Sequence, residues 1–413
     1  MMLYSLKRAT AWNILGYIYL LIASFISTPI LVQYLGITQF STYSLVMAST
    51  IFVSAINLGL PQAVVRALAI EHKFSKTRQT IWASSSLIFI LTGILAGIIA
   101  VALVYPLHLS ISLLIIIFGI GLVNNLVSHY LTLPQAEGHF GYFNLKTFII
   151  GSGNTLLAAL LAYLGYDILA ILTMQLFTYW FTLLPLAYFS LKFFPNPRDG
   201  KFSLSVIKSL TSFGLKSWGG KLIGQVQSQY AKYLLAALSP LTLSVYVISQ
   251  GLIQKLVGVV AQIATSFYPA SARSEVNPSI HKIYLQIQIS LLVLGLVTII
   301  AFGYVGLPFL SWWLKDPVLV ESVYTFIEIY RYYGLLLLLT PLASTILESY
   351  GYPGTASLFG VFTFIIEIIS AIVMFPHYGI LAIAYAGIIS LGIMTPVVLL
   401  YTEYIVLRGK KSN

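Results

Sequence analysis

A chain of 413 residues in which 59% are hydrophobic and only 8% charged, with a mean hydropathy of +0.92, cannot coat a water-soluble particle, because an ordinary soluble domain is about 25% charged. The solvent for most of it must be lipid. With no cysteine in the chain, disulfides, thiolate metal sites and cysteine nucleophiles are excluded.

In chain order, twelve apolar runs each supply the about 20 residues needed to cross a roughly 30 Å hydrocarbon layer. They lie at approximately 10–33, 41–65, 80–105, 110–133, 145–165, 168–192, 209–237, 241–267, 284–308, 322–347, 356–376 and 380–407. The runs are continuously apolar, where barrel strands would alternate over about ten residues, so the expected fold is an all-α polytopic membrane protein. The first, in "LKRATAWNILGYIYLLIASF", has the charged start of a signal peptide. Its apolar body is too long for one and no small-residue cleavage site follows, so it reads as a retained span. The longest stretches between runs, around "FFPNPRDGKFSLSVIK" and "YPASARSEVNPSIHKI", are about 16 residues, too short for a core of their own.

The basic residues set the expected orientation. With the N-terminus cytoplasmic, sixteen of the 22 Lys and Arg fall on inside loops and flanks, among them Lys7, Arg66, Lys76, Lys146, Lys201 and Lys410, and the outside loops hold only Lys315. This is a positive-inside pattern, and an even number of spans puts both termini on the cytoplasmic face. The net charge of +11 is thereby explained by basic loops on an anionic leaflet, without nucleic acid.

A weak internal repeat joins "LGITQFSTYSLVMA", near Leu35, to "LSPLTLSVYVISQG", near Leu238, with Tyr43 and Tyr246 at matching places about 203 residues apart. It suggests a parallel duplication into two six-helix lobes, 1–192 and 209–413, joined by a cytoplasmic linker at 193–208. In that transporter layout the substrate site is expected between the halves.

The seventh run contains "GKLIGQVQSQYAKYLL". At 100° per residue, Lys221, Gln225, Ser228 and Lys232 share one helix face with Gln229 at its edge. A Lys facing lipid near the bilayer centre costs about 3 kcal/mol, so this stripe must face water, a polar ligand or another helix. Lys232 is near enough to the outer end for its ammonium to snorkel to the headgroups. Lys221 lies roughly 18 Å from the cytoplasmic end. In the eighth run, "VISQGLIQKLVGVVAQIATS", Lys255 and Gln262 share a face with Gly251 and Ser266, and Lys255 is at a similar depth, roughly 18 Å in. Two ammonium groups at one depth on consecutive helices repel in a dry site, so the pair is best accommodated by an anion. The competing reading is that these lysines and amides bridge helices or pair with a buried acid.

Arg331, in "YTFIEIYRYYGLLLL", is a third deep cation, and Glu328 stands three residues earlier on the same face as a candidate ion-pair partner. Glu367, in "FTFIIEIISAIV", is an acid in mid-span, a candidate for ion coupling or a counter-ion to a lysine. Asn154 is either a cavity residue or a tie between helices. Trp312 and Trp313 read as an outer interfacial belt.

The runs "TPILVQYLGITQFSTYSLVMASTIFVSAINLGLPQAVVRALA", "SFGLKSWGGKLIGQVQSQYAKYLLAALSPLTLSVYVISQGL", "SFYPASAR" and "PHYGILAIAYAGIIS" resemble, in this order, the Wzx-type polysaccharide transporters of the multidrug/oligosaccharidyl-lipid/polysaccharide (MOP) exporter superfamily. The resemblance implies a V-shaped pair of six-helix lobes. It also implies alternating-access flipping of an undecaprenyl-pyrophosphate-linked oligosaccharide, such as an O-antigen repeat unit, across the bacterial inner membrane. A pyrophosphate would be the anion for Lys221 and Lys255, and Arg66 resembles a basic position at the inner end of the family's second span, where a plain positive-inside anchor is equally compatible. One departure is Ala231 before Lys232, where many relatives carry an Asp, so no role of that acid carries over. The implied partners are the lipid-linked oligosaccharide, the phospholipid membrane and the polysaccharide assembly machinery, around a monomer without a cofactor.

Two other classes compete. A membrane polymerase or glycosyltransferase needs an acid, base or metal at a reacting centre. The outside acids are only Asp167, Asp316 and Glu321, and no H-E-x-x-H, phosphate-binding glycine loop or carboxylate pair occurs. An organic-cation exporter of the same superfamily would place acids in its cavity, whereas no acid lies inside the first six runs.

Overall fold

The computed structural model describes the chain except residues 1, 73–74, 140, 195–199, 274–277, 351 and 405–413; the side chains of 2–15, 216–217, 219–221, 262–263, 265–273, 278–280 and 353 are likewise outside the description. The described residues form thirteen α-helices: α1 (Met2–Ser54), α2 (Leu60–Ile70), α3 (Lys76–Val104), α4 (Ile111–Ala136), α5 (Gly141–Ser152), α6 (Ala158–Tyr163), α7 (Ile168–Leu191), α8 (Leu204–Ala236), α9 (Pro240–Arg273), α10 (Pro278–Leu314), α11 (Pro317–Ser349), α12 (Pro353–Tyr378) and α13 (Leu381–Tyr401). No strand occurs among them.

Ten helical segments among the described residues are long and apolar enough to cross a membrane. One of them, Gly16–Asn57, has 42 residues, about twice what a bilayer needs. It is interrupted at Gly36, whose φ of 71° and ψ of 165° are not helical, so it supplies two crossings. α5 and α6 form one span, and of the 33-residue α8 the stretch Leu204–Leu215 is a shorter apolar segment among the described residues.

Local chemistry fixes where helices start. Ser75, Asp167 and Asp316 accept backbone N–H groups of Arg78, Ala170 and Leu319, satisfying donors that a helix leaves open at its first turn. Pro317 follows at the first position of α11, where its missing N–H costs nothing.

The chain divides into two compact units, Met1–Gln229 and Tyr230–Asn413. In the first, α4 packs between α3 and α7 while α1 lies against α3, α5 and α6. A Cβ on Gly97 would stand 2.6 Å from the Phe118 ring, and one on Gly121 2.9 Å from the Gly97 Cα. Only small residues permit that approach, and in lipid such close packing is a main source of helix association. Leu60, Trp82, Phe89, Leu133 and Phe189 form a core between α2, α3, α4 and α7. In the second unit α11 is central, packed on α9, α10 and α13, with α12 against α13. Its core includes Tyr284, Leu342, Ile346 and Val398.

The second crossing departs from the unbroken 41–65 run read from sequence. After Ser54 the backbone tightens into a 3₁₀ turn at Ala55–Asn57, then Leu58 and Gly59 turn left-handed with φ of 54° and 68° before α2 begins. The start of α8 covers this break. A Cβ on Gly214 would meet the Leu58 carbonyl oxygen at 2.4 Å, and Trp218 Nε1 donates to the Ala55 carbonyl. Irregular backbone survives at membrane depth where protein groups satisfy it in this way.

Candidate functional site

On α8, Gln229 is buried and its Nε2 donates to Ser228 Oγ at 3.0 Å, while Ser228 Oγ donates back to the Gln225 carbonyl at 3.0 Å. The Gln225 side-chain oxygen is buried with no hydrogen-bond partner, and Lys232 is half-buried one turn on. The stripe is therefore a continuous polar ridge over these turns. The Lys221 side chain, which sequence placed at its head, lies outside the described residues, as does that of Gln262 on α9.

Lys255 projects from α9 with its ammonium 5.8 Å from the ring centroid of Trp313 on α10, within the range of a cation–π contact. Trp313 is 4% exposed and Trp312 69%. This corrects the belt reading for Trp313: consecutive helical residues point about 100° apart, so one ring meets lipid and the other packs beneath the lysine.

Arg331 on α11 is not paired with the Glu328 carboxylate. Its Nε donates to the Glu328 backbone carbonyl at 3.0 Å and its Nη1 to the Ile299 carbonyl on α10 at 3.0 Å, with Tyr332 stacked against it. Glu328 is exposed and accepts only a long 3.5 Å hydrogen bond from Tyr324. Two of the five guanidinium N–H groups are thus used, both on neutral carbonyls.

Glu367 on α12 is 6% exposed and accepts the Tyr230 hydroxyl at 2.8 Å. Tyr246, Tyr330 and Tyr333 stand within electrostatic range of the same carboxyl. Tyr330 and Tyr333 stack at 4.7 Å, and Gln250 donates to Tyr246 at 3.1 Å. This phenol cluster escaped sequence reasoning; its signals are the one-turn spacings of Tyr246 with Gln250 and of Tyr330 with Tyr333.

In the first unit Asn154 sits in a π turn, Gly153–Leu157, a wide turn that often marks functional positions. Its carbonyl accepts the Tyr43 hydroxyl at 2.7 Å, and fully buried Gln175 donates to the same hydroxyl at 3.0 Å. The Asn154 side-chain oxygen is buried without a partner. The Asn154 backbone therefore ties the π turn to α1 and, through Tyr43 and Gln175, to α7. Arg66 is exposed on α2, its guanidinium 4.7 Å over the Phe213 ring of α8. A buried ion pair, Arg78 with Glu137, joins α3 to the end of α4 with side chains 1% and 5% exposed.

Electrostatics unify these observations. Helices α1 to α10 contain no Asp or Glu at all, yet Lys232 and Lys255 lie within them. Among the described residues no group of three or more His, Cys, Asp or Glu side chains is placed to hold a metal.

The polysaccharide biosynthesis protein family model matches residues 6–275. The chain belongs to that family. Solved structures show its fold at low sequence identity. An inward-facing multidrug resistance MATE transporter of the MOP superfamily superposes with a TM-score of 0.73 at 13% identity over 98% of this chain and 96% of its own. The lipid II flippase MurJ, in an inward closed conformation, gives 0.71 at 12% over 95% and 87%. The Vibrio cholerae MATE transporter VcmN in the bent form gives 0.62 at 13% over 99% and 98%. Among curated proteins no sequence matches. The protein is thus a multi-pass membrane protein of the polysaccharide biosynthesis family with the MOP transporter fold.

Proposed function

We propose that this protein flips an undecaprenyl-pyrophosphate-linked oligosaccharide, an O-antigen or related surface-polysaccharide repeat unit, across the bacterial inner membrane, and that it is a transporter and not an enzyme. Its termini are cytoplasmic. Its two six-helix lobes, 1–192 and 209–413 with 193–208 as linker, alternate access to either face, and ion movement coupled through Glu367 drives the cycle. The two lysines and two arginines (Lys221, Lys255, Arg331, Arg66) hold the anionic headgroup, and Gln225, Gln229, Lys232, Gln262 and Asn154 supply polar lining.

The observation that carries this reading is the one-sided charge of the helices: α1 to α10 hold cations and no acid. Helices of that charge attract a pyrophosphate and repel an organic cation, which favours lipid-linked cargo over drug export. Family membership supports the polysaccharide context, and the MurJ-like fold is compatible with moving a lipid-linked group.

The test is deletion in the native host with analysis of surface glycan and of accumulated lipid-linked repeat units. Loss of surface glycan with repeat units trapped on the cytoplasmic face is expected. Normal export in the deletion strain would sink the proposal.

A further inference from the structure

Between α9, α10 and α11 of the second unit lies an apolar groove of about 170 Å³, floored by buried Ile253, Val260, Leu291 and Leu338, with exposed Leu256 and Leu294 on its rim. The charged residue in its wall is Arg331. The guanidinium is held at one end, beside Ile299, and no carboxylate pairs with it among the described residues. Three of its N–H donors remain for a ligand, and an uncompensated guanidinium in an apolar wall is best matched by a phosphate.

We propose that this groove holds the first isoprene units of a polyprenyl-phosphate lipid, with the phosphate on Arg331. A single chain fits better than the two tails of a phospholipid: an apolar cavity of about 150 Å³ takes one benzene-sized molecule, close to one five-carbon isoprene, and further units of the same chain lie along the open rim at Leu256 and Leu294. The inference rests on the lipid-linked substrate and cytoplasmic termini proposed above, and adds a direction. With cytoplasmic termini, α11 descends from the outer face, so Arg331 marks the outer end of the groove and Leu338 the inner end. α10 runs the opposite way and places Ile299 above Leu291. A lipid with its phosphate at Arg331 and its chain running toward Leu338 has its head outward and its tail inward, the orientation of a lipid that has already turned over. The groove is a resting place for the carrier after inversion, before release to the outer leaflet.

The experiment uses the full-length protein in phosphatidylcholine nanodiscs and two polyprenyl monophosphate probes, one with a diazirine on the isoprene next to the phosphate and one with it on the third isoprene. The expected result is that the first labels peptides around Ile299 and Arg331, and the second those around Leu291 and Val260. Arg331→Gln and Leu294→Trp, the latter filling the groove from its rim without touching the core, should each lower labelling at least tenfold. Arg331→Lys should keep most of it. Labelling elsewhere that ignores both variants, labelling in the reverse order, or equal labelling by a diazirine phosphatidic acid would overturn the groove while leaving the substrate reading intact. No capture of either probe by the wild type would overturn the substrate reading together with the groove.

Discussion

Replacing Lys255 with Gln removes a charge while keeping a polar side chain of similar length. The structure shows a contact that this removes: the ammonium is 5.8 Å from the Trp313 centroid, and a cation–π contact contributes about 0.5–1 kcal/mol where exposed and about 2 kcal/mol when desolvated. Loss of that contact should lower melting in detergent, and insertion should be unharmed, since losing a charge eases entry into the bilayer. Transport should respond differently. A hydrogen bond to a charged group is worth about 1.5–3 kcal/mol, which is about ten- to 150-fold in affinity for a pyrophosphate. Surface glycan, and flipping of a lipid-linked oligosaccharide by reconstituted vesicles, should fall accordingly at equal protein level. Lys255→Arg should retain part of the activity, and Lys255→Ala should match Gln. Wild-type export by the Gln variant refutes the anion site. Recovery of export in Lys255→Ala with Glu367→Ala would show instead that the lysine serves to neutralise that acid.

Glu137→Ala strands Arg78, whose side chain is 1% exposed, and should cost about 3–5 kcal/mol in thermal or denaturant unfolding, whereas Arg78→Met with Glu137→Leu should be near neutral; equal damage by both would show that the fold needs the pair itself and that the loss is not the cost of a stranded charge. Glu367→Gln should uncouple flipping from an imposed proton or sodium gradient in vesicles, and Tyr230→Phe, which removes the 2.8 Å donor to that carboxyl, should alter the same dependence. Unchanged gradient response in both would exclude Glu367 from coupling. Single cysteines, introduced into a chain that has none, should label from the cytoplasm at Gly200 and Ser412 and from outside at Pro317; outside labelling at Ser412 breaks the proposed topology.

The spans were legible because their cause is local: each is a run whose hydropathy answers to the thickness of a bilayer. The interruption at Ala55–Gly59 was not, since Leu58 and Gly59 disturb the backbone without lowering hydropathy, and the group that covers the break, Trp218, is 163 residues away. The same distance problem hid the partners of the charges. Glu367 meets Tyr230 across 137 positions and Arg78 meets Glu137 across 59, so neither pair leaves a helical spacing to read. Glu328 shows the opposite error. Its spacing to Arg331 was right for an ion pair, but the guanidinium turned to the Ile299 carbonyl on the neighbouring helix, a tertiary choice that periodicity does not contain.

The fate of three acids clarifies the charge balance. Glu137 is closed against Arg78, and Glu403 against His281, while Glu367 is enclosed by Tyr230 and further phenols. These three acids are thus spent on fixed partners, whereas Glu328 is exposed. Arg331, by contrast, is held by carbonyl dipoles and an aromatic face, which orient a cation without cancelling its charge. In a low-dielectric wall that residual charge acts strongly over several ångströms. A deep guanidinium held on dipoles alone is arranged to receive its counter-charge from outside the chain. In a membrane, an anion that arrives with an apolar tail is the form of cargo that meets both the charge of Arg331 and the hydrocarbon groove beside it.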